Sequence, residues 1–299
     1  MLKYPFMGMS LPARVIEKLD SITFDELLAG QHPFENGNSL FDLTGTRLIT
    51  SAAITQLAAA CYAANVAGDK PKVVVDDSGV RSYLVRSGFV GLVEPVAQIE
   101  PGFRSSTFYG LEGLRGSNPM LIELTKIDDG SELPGILDQI VWVLQHRLRY
   151  RKSDAFDVAV AVSEIAQNTF DHNKKAFGFL AMQVYGERGK QFLEIGVADC
   201  GAGLTETLRR NPRHALISSD LEAIRAATEL GTSEYEDCTR GSGLHYLLEI
   251  AYKHQGAVQI RSGKGKVRYR MDKKQGWAFR VPEMPGVQIA LDLRAKNRS

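Results

Sequence analysis

The sequence predicts an α/β protein in two parts, on three observations. Strand and helix signals alternate through the first third of the chain, a Gly-, Ser- and Pro-rich stretch without periodicity interrupts them between 98 and 118, and long amphipathic helices followed by successive strands fill the remainder. Alternation implies parallel pairing in the first part. The expected units are 1–118 and 119–299.

Each element has a local reason. "LPARVIEKLDSITFDELLAG" (11–30) spaces apolar side chains on one helical face before Gly30, and "SLFDLTGT" (39–46) reads as a strand leaving through a glycine turn. "SAAITQLAAACYAANVAG" (51–68) is a Ser-capped, Ala-rich helix closed by Gly68. "KPKVVVDD" (70–77) is a β-branched strand, and "SGVRSYLVRSGFVGLVE" (78–94) a helix broken at Gly88. Beyond the boundary come a strand, "MLIELTKI" (120–127), then helices over 132–150 and 153–173. Strands over 177–186 and 191–201 follow, joined by a turn at 187–190. A polar stretch from 204 to 240 holds one helix, "SDLEAIRAATEL", and another helix spans 241–256. "AVQIRSG", "KVRYRM", "WAFRV" and "VQIALDLR" then read as four antiparallel strands.

Composition narrows the function classes. Thirty-six basic against thirty-five acidic residues leave a formal charge of +1, so no bulk field attracts nucleic acid or an anionic membrane. No apolar run is long enough to span a bilayer, and the first twenty residues lack the apolar core of a signal peptide. Three well-separated cysteines, Cys61, Cys200 and Cys238, fit a reducing cytoplasm better than a disulfide framework.

The chemistry concentrates in three places. "SEIAQNTFDHN" sets Glu164, Asn168 and His172 at four-residue steps, each about 6 Å along a helix at nearly one azimuth, so they form a polar stripe beside a core face. Asn offers a neutral oxygen to a hard cation such as Mg²⁺, His can donate to phosphate, and Glu can orient or deprotonate a nucleophile. "VADCGAGL" ends an apolar strand in Asp199, Gly201 and Gly203, and "RGSGLHYL" places Gly241 and Gly243 at a helix entrance. Glycines there let backbone N–H groups approach an anion, with the helix dipole behind them, and an Asp at a strand end can accept from an exocyclic amine.

Over 132–299 these motifs resemble the GHKL superfamily of ATP-binding domains, which includes type II topoisomerases, MutL proteins, sensor histidine kinases and anti-sigma serine kinases. Its Glu-x-x-x-Asn-x-x-x-His motif matches Glu164, Asn168 and His172, its Asp-x-Gly-x-Gly matches Asp199, Gly201 and Gly203, and its Gly-x-Gly-Leu matches Gly241, Gly243 and Leu244. The resemblance implies a Bergerat fold, an α/β sandwich with a mixed sheet and helices on one face. ATP would lie under a lid formed by about 204–240, where Thr232, Ser233 and Arg240 could reach phosphate. Asn168 would hold Mg²⁺, Asp199 the adenine amino group, and Glu164 would act as general base. The chain departs from the family at Gly286-Val287, where a Gly-Thr pair usually supplies a hydroxyl.

Residues 39–94 resemble a STAS domain, the fold of anti-sigma antagonists and sulphate-transporter tails. The serine that antagonists phosphorylate aligns with Ala52, and Ser51 reads more simply as a helix N-cap. His146 sits where a histidine kinase keeps its phosphoacceptor, though Arg147 follows it instead of an acid, so an ordinary surface histidine is expected. Lys264, Lys266, Arg268 and Arg270 alternate as a solvated strand face would. The expected function is a cytoplasmic, Mg-dependent ATP-binding regulator that hydrolyses ATP or transfers its γ-phosphoryl group. The alternatives are a non-catalytic ATP-switched interaction protein and a serine or histidine protein kinase acting on a partner. A regulatory protein met through the STAS-like part, and a homodimer, are left open.

Overall fold

Side-chain caps set the first elements of the chain, whose computed structural model describes residues 15–31, 33–34, 39–103, 121–128, 130–171, 178–187, 189–229 and 243–296. Asp20 Oδ1 accepts from the Ile22 and Thr23 N–H groups, and Thr23 Oγ1 accepts in return from Asp20 N–H at 2.9 Å. This reciprocal cap starts helix α1 (Phe24–Gln31), so the helix expected over 11–30 is shorter, and Lys18–Leu19 forms strand β1 instead. Strands β2 (Leu40–Asp42) and β3 (Leu48–Ile49) follow, and β1 pairs with β3 in parallel.

Helix α2 (Ser51–Val66) is capped by Thr50, whose hydroxyl accepts from Ala53 N–H; Ser51, expected as the cap, is the first helical residue. After β4 (Lys72–Val74), Asp77 caps α3 (Ser78–Arg86) by accepting from Gly79 and Val80 N–H groups at 2.8 and 2.9 Å. Gly88, at φ +80°, turns the chain into α4 (Phe89–Val93). Strand β5 (Gln98–Glu100) lies inside the stretch read as a boundary, being too short for periodicity to reveal. Strands β2, β4 and β5 form a parallel sheet in the order β2-β4-β5.

The second part contributes β6 (Leu121–Ile127), α5 (Leu133–His146), α6 (Lys152–Asp171), β7 (Gly178–Tyr185) and β8 (Phe192–Asp199). Helices α7 (Gly203–Arg209), α8 (Asp220–Ala227) and α9 (Gly243–Lys253) precede β9 (Ala257–Arg270) and β10 (Gln275–Arg294). The five strands order as β6-β7-β8-β10-β9, and every pairing is antiparallel, which corrects the mixed sheet expected here. Hairpins join β7 to β8 and β9 to β10, and two-strand hairpins pair only antiparallel. The four strands expected at the end are these two long ones. Pro282 and Pro285 fall in register irregularities between Arg280 and Val287, so β10 bends there without ending.

The large sheet is covered on both faces. Leu180, Met182, Ile195, Val197, Ile289 and Leu291 pack with Val158, Val162 and Ile165 of α6 and with Leu247 and Ile250 of α9. On the opposite face, Leu124, Phe179, Ala181, Ala198 and Met284 join the core built around α2, Phe41 and Val73. Helix α2 is therefore enclosed between the three-stranded and five-stranded sheets, which suits a helix with small apolar residues on every side. Gly196 marks the close approach: a Cβ there would stand 2.6 Å from Ala52 Cα.

Candidate functional site

Glu164 and Asn168 sit one turn apart on α6, while Ile165 and Ala166 beside them turn into the core. Glu164 is half-buried and Asn168 exposed. Gly243, the first residue of α9, faces both. A Cβ on it would lie 3.3 Å from Glu164 Cβ and Oε2 and 3.4 Å from Asn168 Nδ2, so the absence of a side chain lets the first turn of α9 come against the polar stripe. The N–H end of a helix carries partial positive charge, and here it lies beside a carboxylate and an amide. Leu244 is buried in the core and anchors α9.

Asp199, the last residue of β8, is 5% exposed. Its Oδ1 accepts from Gly201 N–H at 2.7 Å and its Oδ2 from Val287 N–H at 3.3 Å. Burial pushes its carboxyl up to about 7, against the lowering effect of those two backbone donors. Gly286 adopts φ +82° and lies directly on Asp199; a Cβ would crowd the Asp199 carbonyl and stand 2.8 Å from Oδ1. Across the corner, Ser262 Oγ accepts from Leu204 N–H at 2.9 Å, and a Cβ on Gly203 would meet the same Oγ at 2.9 Å. Asp199, Gly201, Gly203 and Gly286-Val287 thus form one tight corner at the end of β8.

The two groups adjoin. Thr169, next to Asn168, is buried over Gly178, whose β7–β8 register partner is Asp199. The C-terminal end of α6, the start of α9 and the Asp199 corner therefore meet on the helix-covered face of the sheet. His172, Thr232, Ser233, Arg240 and Gly241 lie outside the described residues.

No protein-family model matches the chain, and no curated protein matches it in sequence. The geometry of the residues carries the functional argument.

Several expectations change. The stretch expected as a lid is in large part folded body: α7, a 3-10 turn at Pro212–His214 and α8 occupy it up to 229. Asp220 fastens it, accepting from Thr205 Oγ1 at 2.5 Å and from Lys264 N–H of β9 at 2.9 Å. Residues 230–240 lie outside the described residues. Lys266, expected on a solvated face, is 4% exposed and paired with Asp25. Gly263, at φ +55°, interrupts the strand alternation, so Arg261 and Lys266 reach the same carboxylate. Ser51 is enclosed: its hydroxyl donates to Glu194 Oε2 at 2.8 Å, and its N–H donates to Tyr185 Oη at 2.8 Å. His146 is exposed, as expected of a surface histidine, and stacks on Trp142, centroids 4.9 Å apart, with Nδ1 2.8 Å from the Trp142 carbonyl oxygen. Sequence reasoning did not find Ser262 or Gln288. Their only signal is a polar residue within a strand, which a solvated strand face produces equally well.

Proposed function

We propose that the chain binds Mg-ATP where α6, α9 and the Asp199 corner meet, and that it is a nucleotide-dependent regulator of the GHKL type. The observation that carries this reading is the juxtaposition of Glu164 and Asn168 with Gly243 beside a buried carboxylate cradled by Gly286. At both glycines a Cβ would meet another part of the chain, so the lack of a side chain lets the segments that would hold the ligand come together. Among the described residues no group of three or more His, Cys, Asp or Glu could hold a metal ion alone. That suits Mg²⁺, which keeps few protein ligands and takes phosphate oxygens, with Asn168 supplying an amide oxygen. Mg²⁺ bound there would offset charge on the phosphates.

The chain's own groups have separable roles. Asp199 accepts the purine amino hydrogen with the oxygen lone pairs that Gly201 and Val287 leave over. The start of α9 presents N–H groups to phosphate, and Gly243 sets how near they come. Glu164, half-buried beside Asn168, orients a water or hydroxyl and takes its proton, a task in which positioning contributes most. The Val287 side chain offers no hydroxyl to the purine, and its N–H donates to Asp199. No helix among the described residues is long and apolar enough to cross a membrane.

Calorimetric titration with Mg-ATP tests the reading. Asn168→Ala is expected to abolish detectable binding, and an affinity equal to that of the unaltered chain would refute the assignment. Following both phosphate release and label from γ-labelled ATP then separates hydrolysis, transfer to a protein and binding alone. Because Ser51 is enclosed against Glu194, label is not expected on that residue.

A further inference from the structure

The bend in β10 raises a question of backbone pairing. Between Arg280 and Val287 the register with β9 slips twice, so the carbonyls of Pro282 and Pro285 leave the regular ladder. Buried carbonyls outside a ladder need other donors. Arg261 Nη2 donates to the Pro282 carbonyl, and Gln288 Nε2 donates to the Pro285 carbonyl at 2.8 Å. The two donors also meet, with Arg261 Nη1 3.4 Å from Gln288 Oε1, and Gln288 Nε2 lies 3.4 Å from the carbonyl oxygen of Asp199. Arg261 is 1% exposed. A guanidinium so buried needs an opposite charge, and Asp25 of α1 provides it: Asp25 Oδ1 accepts from Arg261 Nε at 3.1 Å, and Oδ2 accepts from Lys266 Nζ.

We propose that Asp25 is a positioning residue for Asp199: it holds Arg261, which with Gln288 fixes the 282–287 corner that brings Gly286 and the Val287 N–H to the Asp199 carboxylate. Asp25 and Arg261 lie on the α2 face of the sheet and the Asp199 carboxylate on the face covered by α6 and α9. The backbone around Gln288 joins them, because its side chain grips one face while the N–H of the preceding residue serves the other. Seating of the N-terminal segment thereby sets the geometry of the site behind it. The inference rests on reading Asp199 as the purine contact, and it names a residue that acts on that contact from the first part of the chain.

The test uses the full-length chain without nucleotide and follows the carboxyl carbon of Asp199 by NMR titration, the signal being assigned by its loss in Asp199→Asn. Gln288→Met removes the grip on the corner and leaves the Asp25 pair in place. Asp25→Asn strands two buried cations, so its folding is checked by circular dichroism, and Arg261→Met, which removes the cation joining Asp25 to the Pro282 carbonyl, decides if it fails to fold. Loosening the Val287 donor removes a bond that favours the carboxylate, so the Asp199 midpoint is expected to rise by about half a pH unit or more. Leu84→Ala, a core truncation in α3, is expected to lower thermal stability and leave the midpoint in place. An unmoved midpoint in Gln288→Met or in the folded Asp25 or Arg261 variant, or an equal shift in Leu84→Ala, overturns the link. Mg-ATP affinity is measured alongside, with a loss of about threefold or more expected in Gln288→Met. If the unaltered chain binds no nucleotide, the functional reading falls, and the titration still decides whether Asp25 positions Asp199.

Discussion

A carboxylate that reads a purine has to be charged, yet the site that makes Asp199 selective also buries it. Its folded-state value of about 7 lies above the ordinary 3.8, so the folded chain holds this proton more tightly than the unfolded chain does. The associated stability is therefore complete below about 3.8 and is lost as pH rises through about 7. Two outcomes follow at opposite ends of one measurement. Mg-ATP affinity should rise as pH climbs through about 7, with proton release on binding at pH 6 that calorimetry in buffers of different ionisation enthalpy would detect. Asp199→Asn should destroy binding and remove the fall in stability between pH 6 and pH 8 that ionising the buried carboxylate causes. A stability that still fell over that range in the variant would contradict the account. His254 behaves in the opposite sense. It packs on Tyr150 with centroids 4.8 Å apart, and neither ring nitrogen has a hydrogen-bond partner among the described residues. Burial, aided by Lys296, holds it down to about 4 against an ordinary 6.5, so stability falls as pH drops from about 6.5 towards 4, where the unfolded chain takes up the proton first. His254→Phe should flatten that acid limb in a plot of thermal midpoint against pH.

The elements divide into those whose reasons are local and those whose reasons are not. Helix α2 was legible from a capping hydroxyl, an alanine-rich body and Gly68, and the break at Gly88 from one glycine, because those signals act within a few residues. What encloses α2 was not legible. Ser51 meets Glu194 across 143 residues of sequence, and Glu194 Oε2 accepts from both the Ser51 hydroxyl and the Ala52 N–H at 2.8 Å. The candidate site divides the same way. Glu164 with Asn168 and Asp199 with Gly203 are spacings of four residues, but only the folded chain sets Gly286 on Asp199 or Gly243 on Glu164. The merger of four expected strands into β9 and β10 was hidden because glycine and proline mark ends in most sequences and mark a bend here. This dependence on distant residues is measurable. Gly196→Ala forces a methyl group against the backbone of α2 and should cost about 1–3 kcal/mol in urea unfolding. Glu194→Ala leaves the buried Ala52 N–H unsatisfied and takes one of two acceptors from the Ser51 hydroxyl, and should cost about 1–3 kcal/mol. Full stability in both variants would mean that α2 does not bear on β8 as described.

At the scale of the molecule, the glycine- and proline-rich boundary does not separate two independent cores. Leu124, Phe179, Ala181, Ala198 and Met284 come from the second part and share one buried cluster with α2, Phe41 and Val73. If that cluster is a single cooperative unit, damage on its far side must be felt throughout the large sheet. The chain has two tryptophans, Trp142 on α5 and Trp277 on β10, so fluorescence reports the second part alone, whereas circular dichroism reports both. Val73 lies in the three-stranded sheet and is fully buried. Val73→Ala should cost about 1–3 kcal/mol by loss of buried methyl groups. With a shared core, the urea midpoints from fluorescence and circular dichroism fall together and by the same amount. With independent cores, the fluorescence transition stays where it was, and only the dichroism acquires an earlier phase. Coincident midpoints would also give the Asp25–Arg261 link its physical basis, since a carboxylate of the first part can position Asp199 only while the two parts remain docked.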